Sequence, residues 1–189
     1  MHPQHFGDSY DIVKQSLLAW LSADLGPWSA YPMFTDKVDD ERATAFARFL
    51  GVRLVTRERL SSTTDRTDYF RACKGEGHLF LDPDTGVKMK RPGKNPKYLY
   101  GEELADIARD RPSFLTMTFD QSLSRARKPE AQVKEKLNLL GLFGFAYVSH
   151  AAFIVLGCDP LLVERARETV LVRSQLPARR FVSARRQIG

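Results

Sequence analysis

The sequence predicts a three-layer α/β domain with a mostly parallel sheet that closes on a C-terminal antiparallel hairpin. Three observations predict it. Short apolar and β-branched runs alternate with amphipathic helical stretches along most of the chain, the order that builds parallel βαβ units. Two such runs, residues 145–148 and 151–156, are separated only by Ser149 and His150 and read as a hairpin. The 189 residues suffice for one domain able to bury about 70% of its unfolded surface.

The elements follow in order. Residues 9–25 read as a helix, with Ile12, Leu17, Leu18 and Leu21 at near-helical spacing and Gly26-Pro27 as its stop. The aromatic and apolar residues of 29–36 suit a strand despite Pro32. Asp39 is placed to cap a helix over 40–50, whose Ala43, Phe46, Ala47 and Leu50 share one face before Gly51 ends it. Residues 52–55 form a second strand. A polar stretch turns helical around 69–73. A strand at 78–81 runs into the turn Asp82-Pro83-Asp84-Thr85-Gly86. Residues 87–97 form a basic loop. A helix at 102–109 is broken by Arg111-Pro112, and a strand at 114–119 leads to Asp120. Pro129 stands in the first turn of a helix over 129–140. After the hairpin, Asp159-Pro160 opens a last helix reaching about Ser174. Residues 1–176 are thus one domain, and 177–189 a basic tail with Arg179, Arg180, Arg185 and Arg186, mobile or docked on a partner.

Composition narrows the class. No run approaches the roughly 18 apolar residues of a membrane-spanning helix, and residues 1–10 lack the apolar core of a secretory signal. The cytoplasm is the default location. Cys73 and Cys158 belong to no CxxC pair, which argues against a zinc knuckle or disulfide framework; Cys158 reads as a small core residue. No HExxH, GxSxG, GxxxxGK[ST] or GxGxxG occurs, and His150 sits in a hairpin turn. The net charge of +6 favours a polyanionic partner, nucleic acid first.

In an open parallel sheet, ligands bind beyond the carboxyl ends of the strands. Three predicted strands end in aspartate, at Asp36, Asp82 and Asp120, and Asp84 lies two residues past Asp82. Converging there, these four carboxylates would hold magnesium and clamp a phosphate, with Asp82 and Asp84 catalytic. The plainer reading is that Asp caps helices and turns after strands. Lys88, Lys90, Arg91, Lys94 and Lys97 follow the turn directly, then Tyr98 and Tyr100. Lysine and arginine neutralise phosphates and tyrosine stacks on unpaired bases; the alternative is an ordinary solvated loop. Arg125, Arg127 and Lys128 add charge after Asp120, and Ser122 and Ser124 would cap or bind phosphate.

Four segments carry a resemblance. They are His5-Phe6-Gly7-Asp8-Ser9-Tyr10-Asp11-Ile12-Val13-Lys14, Phe80-Leu81-Asp82-Pro83, the hairpin, and Gly157-Cys158-Asp159-Pro160-Leu161. In these places the chain resembles Rossmann-fold methyltransferases, namely the three-Cys-motif partner proteins and, more distantly, ribosomal-RNA adenine methyltransferases. The resemblance implies a Rossmann-like sheet and a catalytic Asp-Pro strand end at Asp82. It also implies S-adenosylmethionine as cofactor, with Asp36 binding its amino-acid or ribose end. The chain departs from the pattern where the cofactor turn would lie. Phe34-Thr35-Asp36-Lys37-Val38-Asp39-Asp40 contains no glycine, and a Cβ there would crowd the ligand.

Three functions follow. The first is a magnesium-dependent phosphodiesterase or nuclease using the strand-end aspartates, with the basic loop gripping the nucleic acid. The second is a divergent methyltransferase. The third is a non-catalytic module that binds nucleic acid or a protein partner through its basic surfaces.

Overall fold

The computed structural model describes residues 6–90 and 93–184. Helix α1 spans Ser9–Leu25, and Asp8 caps it by accepting from the N–H groups of Tyr10 and Asp11. Strand β1, Trp28–Tyr31, follows, and helix α2, Asp40–Leu50, is capped by Asp39 and ended by Gly51 in the left-handed region. Strand β2 is Arg53–Leu54, helix α3 Arg66–Arg71 and strand β3 His78–Leu81. Strands β4, Gly86–Lys88, and β5, Tyr98–Tyr100, pair in a small separate sheet. Helix α4, Gly101–Arg109, strand β6, Thr116–Asp120, and helix α5, Pro129–Leu140, come next. Strands β7, Phe143–Val148, and β8, Ala152–Gly157, form the hairpin. Helix α6, Pro160–Ser174, and strand β9, Phe181–Ala184, close the chain.

The main sheet has seven strands in the order β2-β1-β3-β6-β8-β7-β9. Strands β2, β1, β3 and β6 are parallel neighbours, and β8 runs antiparallel between β6 and β7. The sheet is therefore mostly parallel, Rossmann-like, with the antiparallel strands at its C-terminal side, as the element order predicts. Side chains alternate between its faces. On β3, Leu79 and Leu81 enter the core shared with α4 and α5, while Phe80 enters the core shared with α1, α2 and α6. Two helical layers on one sheet make the three layers.

Several boundaries differ from the sequence expectation. Strand β1 has four residues rather than eight: Pro32 offers no N–H to the ladder, and Met33 turns the chain with φ 49°. Val87 and Lys88, expected in the basic loop, belong to the strand Gly86–Lys88, which pairs with Tyr98–Tyr100 just after the loop. In the segment expected as a tail, Phe181–Ala184 pairs antiparallel with β7 as an edge strand. Arg185 and Arg186 lie outside the described residues. On α1, Ile12 points outward at 49% exposure, and the inward face at that level is taken by Asp11 and Lys14. Among the described residues no helix is long and apolar enough to cross a membrane.

One buried polar group fastens the opposite, amino-terminal end of the sheet. His78 Nδ1 accepts from the Leu115 N–H at 2.9 Å, and Nε2 lies 3.1 Å from the Leu25 carbonyl, which fixes the neutral Nε2–H tautomer. Burial pushes its pKa below the ordinary 6.5. Unfolded chain therefore takes up this proton first as pH falls, so the stability His78 contributes is present above pH 6.5 and lost as pH drops through the lower folded value. Urea unfolding from about pH 8 to about pH 5 is expected to show this loss. A His78→Leu variant should be weaker throughout but lack that component; an unchanged pH profile would refute the assignment.

Candidate functional site

The loops from β1 and β3 leave in opposite directions, β1 toward β2 and β3 toward β6, so the switch point of the sheet lies between them. Asp82 stands at that point, its N–H donating to the Tyr31 carbonyl. Its carboxylate is not open to a ligand. Asp82 is 1% exposed, and the ammonium of Lys14 lies 2.9 Å from Oδ1 and 3.1 Å from Oδ2. The same ammonium is 2.8 Å from Asp11 Oδ1 and 4.7 Å from the centre of the Phe119 ring. Burial raises the Asp82 pKa above the ordinary range, with Lys14 pulling against it. For Lys14, burial alone would lower the value, but Asp82 and Asp11 outweigh it and hold the ammonium charged above its usual range. An ammonium so held is not a nucleophile or a base near neutral pH.

Asp120, at the end of β6, is fully buried and equally committed. Oδ1 accepts from the N–H groups of Val87 and Ser122, at 3.0 and 2.9 Å, and lies 2.6 Å from Ser122 Oγ. Oδ2 accepts from Lys136 Nζ at 2.6 Å. Here too a lysine on the inner stripe of a helix neutralises a strand-end aspartate, from the opposite helical layer. Asp84 is mostly covered, with Lys97 Nζ at 3.9 Å. Asp36 is half-buried in the turn after β1. Among the described residues, no three His, Cys, Asp or Glu side chains group to hold a metal ion. A donor set in which two of four carboxylates are buried against separate lysines does not fit magnesium. The turn after β1 carries no glycine, and Met33 and Phe34 in it are buried in the two cores on opposite faces of the sheet.

What the structure does assemble lies to one side. A groove of about 510 Å³ opens between β4, the start of β5, the β6–α5 loop and α5. Lys88, Lys90 and Tyr98 line it from the β4–β5 side, and Ser124, Arg127 and Lys136 from the other. Lys88 Nζ lies over the Tyr98 ring, 3.6 Å from its centre. Arg127 is paired with Glu135 at 2.8 Å, and Lys136 with Asp120, so Lys88 and Lys90 carry most of the uncompensated charge. Lys94 and Lys97 are exposed on the same loop, and Arg91 lies outside the described residues.

The walls are held before any ligand arrives. Lys136 Nζ donates to the Val87 carbonyl at 2.8 Å, tying α5 to β4. Gln132 fastens the β6–α5 loop, accepting from Ser124 N–H at 2.8 Å and donating to the carbonyls of Ser124 and Arg127 at 2.9 and 3.0 Å. On the far side of β5, Arg66 grips Glu103 through two bonds of 2.6 and 2.7 Å and donates to the Tyr98 carbonyl at 2.8 Å.

Sequence reasoning singled out Lys88, Lys90 and Tyr98, which line the groove, but missed the lysines that silence the aspartates. The signal was present. Asp11, Lys14, Leu17, Leu18 and Leu21 fall on one helical stripe, as do Val133, Lys136, Leu137 and Leu140. A lysine inside an apolar stripe calls for a buried carboxylate partner. Cys73 is buried, its thiol pushed up to about 12 by desolvation, and is inert; Cys158 Sγ lies against the Ala108 carbonyl. No family model, no curated protein and no solved structure matches this chain.

Proposed function

We propose that this domain binds nucleic acid through the groove between the β4–β5 ribbon and α5. One observation carries the reading: residues far apart in sequence, Lys88 and Lys90 on one wall and Arg127 and Lys136 on the other, line a single preformed groove with an aromatic ring inside it. Four basic side chains against one acidic one, Glu135, give the groove a net positive lining that attracts a polyanion, and a chain of net charge +6 adds to the attraction. The binding reading is preferred to the phosphodiesterase and the methyltransferase because each needs Asp82 accessible, and Lys14 and Asp11 enclose it.

The test is a titration of a labelled oligonucleotide at about 50 and about 200 mM salt. Affinity is expected to fall steeply with salt, because each neutralised phosphate releases condensed counterions. The Lys88→Glu, Lys90→Glu double variant should bind at least about tenfold more weakly at the lower salt, with its unfolding midpoint unchanged. Lys90 is exposed and Lys88 half-buried, its contact with the Tyr98 ring worth about 0.5–1 kcal/mol, so folding is expected to depend little on them. Binding indifferent to salt and to both substitutions would overturn the proposal. Magnesium-dependent cleavage of the oligonucleotide, abolished by Asp84→Asn, would restore the phosphodiesterase.

A further inference from the structure

We infer that the groove takes single-stranded nucleic acid and seats one unpaired base against Tyr98, an inference that rests on the nucleic-acid reading above. The groove is not simply basic. Its lining combines the Tyr98 ring with Met89, Leu123 and Leu139, and Leu139 is 64% exposed, so apolar side chains border the groove beside its charges. Flat apolar walls beside a charged rim match a nucleotide, which presents a planar base on one side and a phosphate on the other. The volume of about 510 Å³ is of the size that small-molecule and nucleotide pockets have.

The position of Lys88 supplies the coupling. Its ammonium rests on the Tyr98 face at 3.6 Å. A phosphate at the rim is a stronger partner for an ammonium than a ring quadrupole is, so an arriving strand draws Lys88 away and leaves the ring face for a base. The same residue thus covers the aromatic surface in the free protein and grips the backbone in the complex. A duplex cannot exploit this arrangement. Its bases are already stacked inside the helix, and it can offer only phosphates to Lys88 and Lys90.

The experiment compares three labelled probes of equal length at one salt concentration: a single strand, a duplex, and a single strand of abasic sites that keeps every phosphate and has no bases. The single strand is expected to bind about tenfold more tightly than either of the others. Tyr98→Leu should bring the single strand down to the abasic level without changing the abasic affinity, and Tyr98→Phe, which keeps the ring, should bind as the parent protein does. Tyr98→Phe also controls for folding. Equal binding of all three probes, or a Tyr98→Leu variant that loses all three alike, would overturn the base-seating inference while leaving the nucleic-acid reading standing. Absence of salt-sensitive binding to any probe would remove both.

Discussion

Replacing Lys14 by methionine is expected to lower the free energy of unfolding by about 3–5 kcal/mol, the effect of leaving a buried charge without its partner. The substitution keeps an unbranched apolar stem as far as the ε position but removes the ammonium that lies within 3.1 Å of both Asp11 and Asp82. Two carboxylates would then face each other at 2% and 1% exposure. Urea unfolding measures the loss. Adding Asp82→Asn to Lys14→Met is expected to recover part of it, because one of the stranded charges is gone, and the non-additivity of the two changes measures their coupling. A double variant as unstable as the sum of the singles would mean that Lys14 and Asp82 are not coupled and that Lys14 stabilises through Asp11 and Phe119 instead. The pH dependence gives an independent check. The folded-state pKa of Lys14 lies above the ordinary 10.5. Its contribution is complete below that value and is lost as pH rises through the folded value. The parent protein should therefore weaken at strongly alkaline pH through this group, and Lys14→Met should not.

The second large effect is expected at Gly86, where the turn after β3 meets the end of β6. Its φ is 132°, a conformation closed to side-chain-bearing residues, and a Cβ there would come within 2.3 Å of Asp120 Oδ1. Gly86→Ala should cost about 3 kcal/mol or more. Shortening the neighbour should not rescue it. The Asp120 Cα and the Gln121 amide nitrogen also stand at 2.9 Å, so Gly86→Ala, Asp120→Ala is expected to be no more stable than Gly86→Ala. Because Gly86 begins β4, which forms one wall of the groove, Gly86→Ala should weaken oligonucleotide binding as well. A stable Gly86→Ala protein with normal binding would show that this turn relaxes freely and that the groove is not preformed.

These two sites explain why the aspartates read as they did. Acidic residues at strand ends are what a metal site and a turn have in common, and the sequence of the strands alone does not separate the two. The separation came from the helices. Lys14 and Lys136 sit on apolar stripes of α1 and α5, and only the packing of opposite helical layers against one sheet brings them to Asp82 and Asp120.

By itself the sequence determined the class of fold, the ends of α1, α2, α5 and α6, the strand β3 and the closing hairpin, whereas the helix expected around 69–73 lies at Arg66–Arg71. Those features depend on local chemistry: Asp8 and Asp39 as caps, Gly51 as a left-handed stop, Pro129 and Pro160 in first turns, and apolar alternation over short runs. Tertiary structure decided which charges are spent inside the protein and which remain for a partner. Strand-end carboxylates were neutralised by lysines more than a dozen residues away, whereas Lys88 and Lys90 found no buried carboxylate and were left lining an open groove. The physical reason is desolvation. A lysine on an apolar stripe needs a buried carboxylate, but which one it meets is decided by the long-range contacts that pack the helices on the sheet.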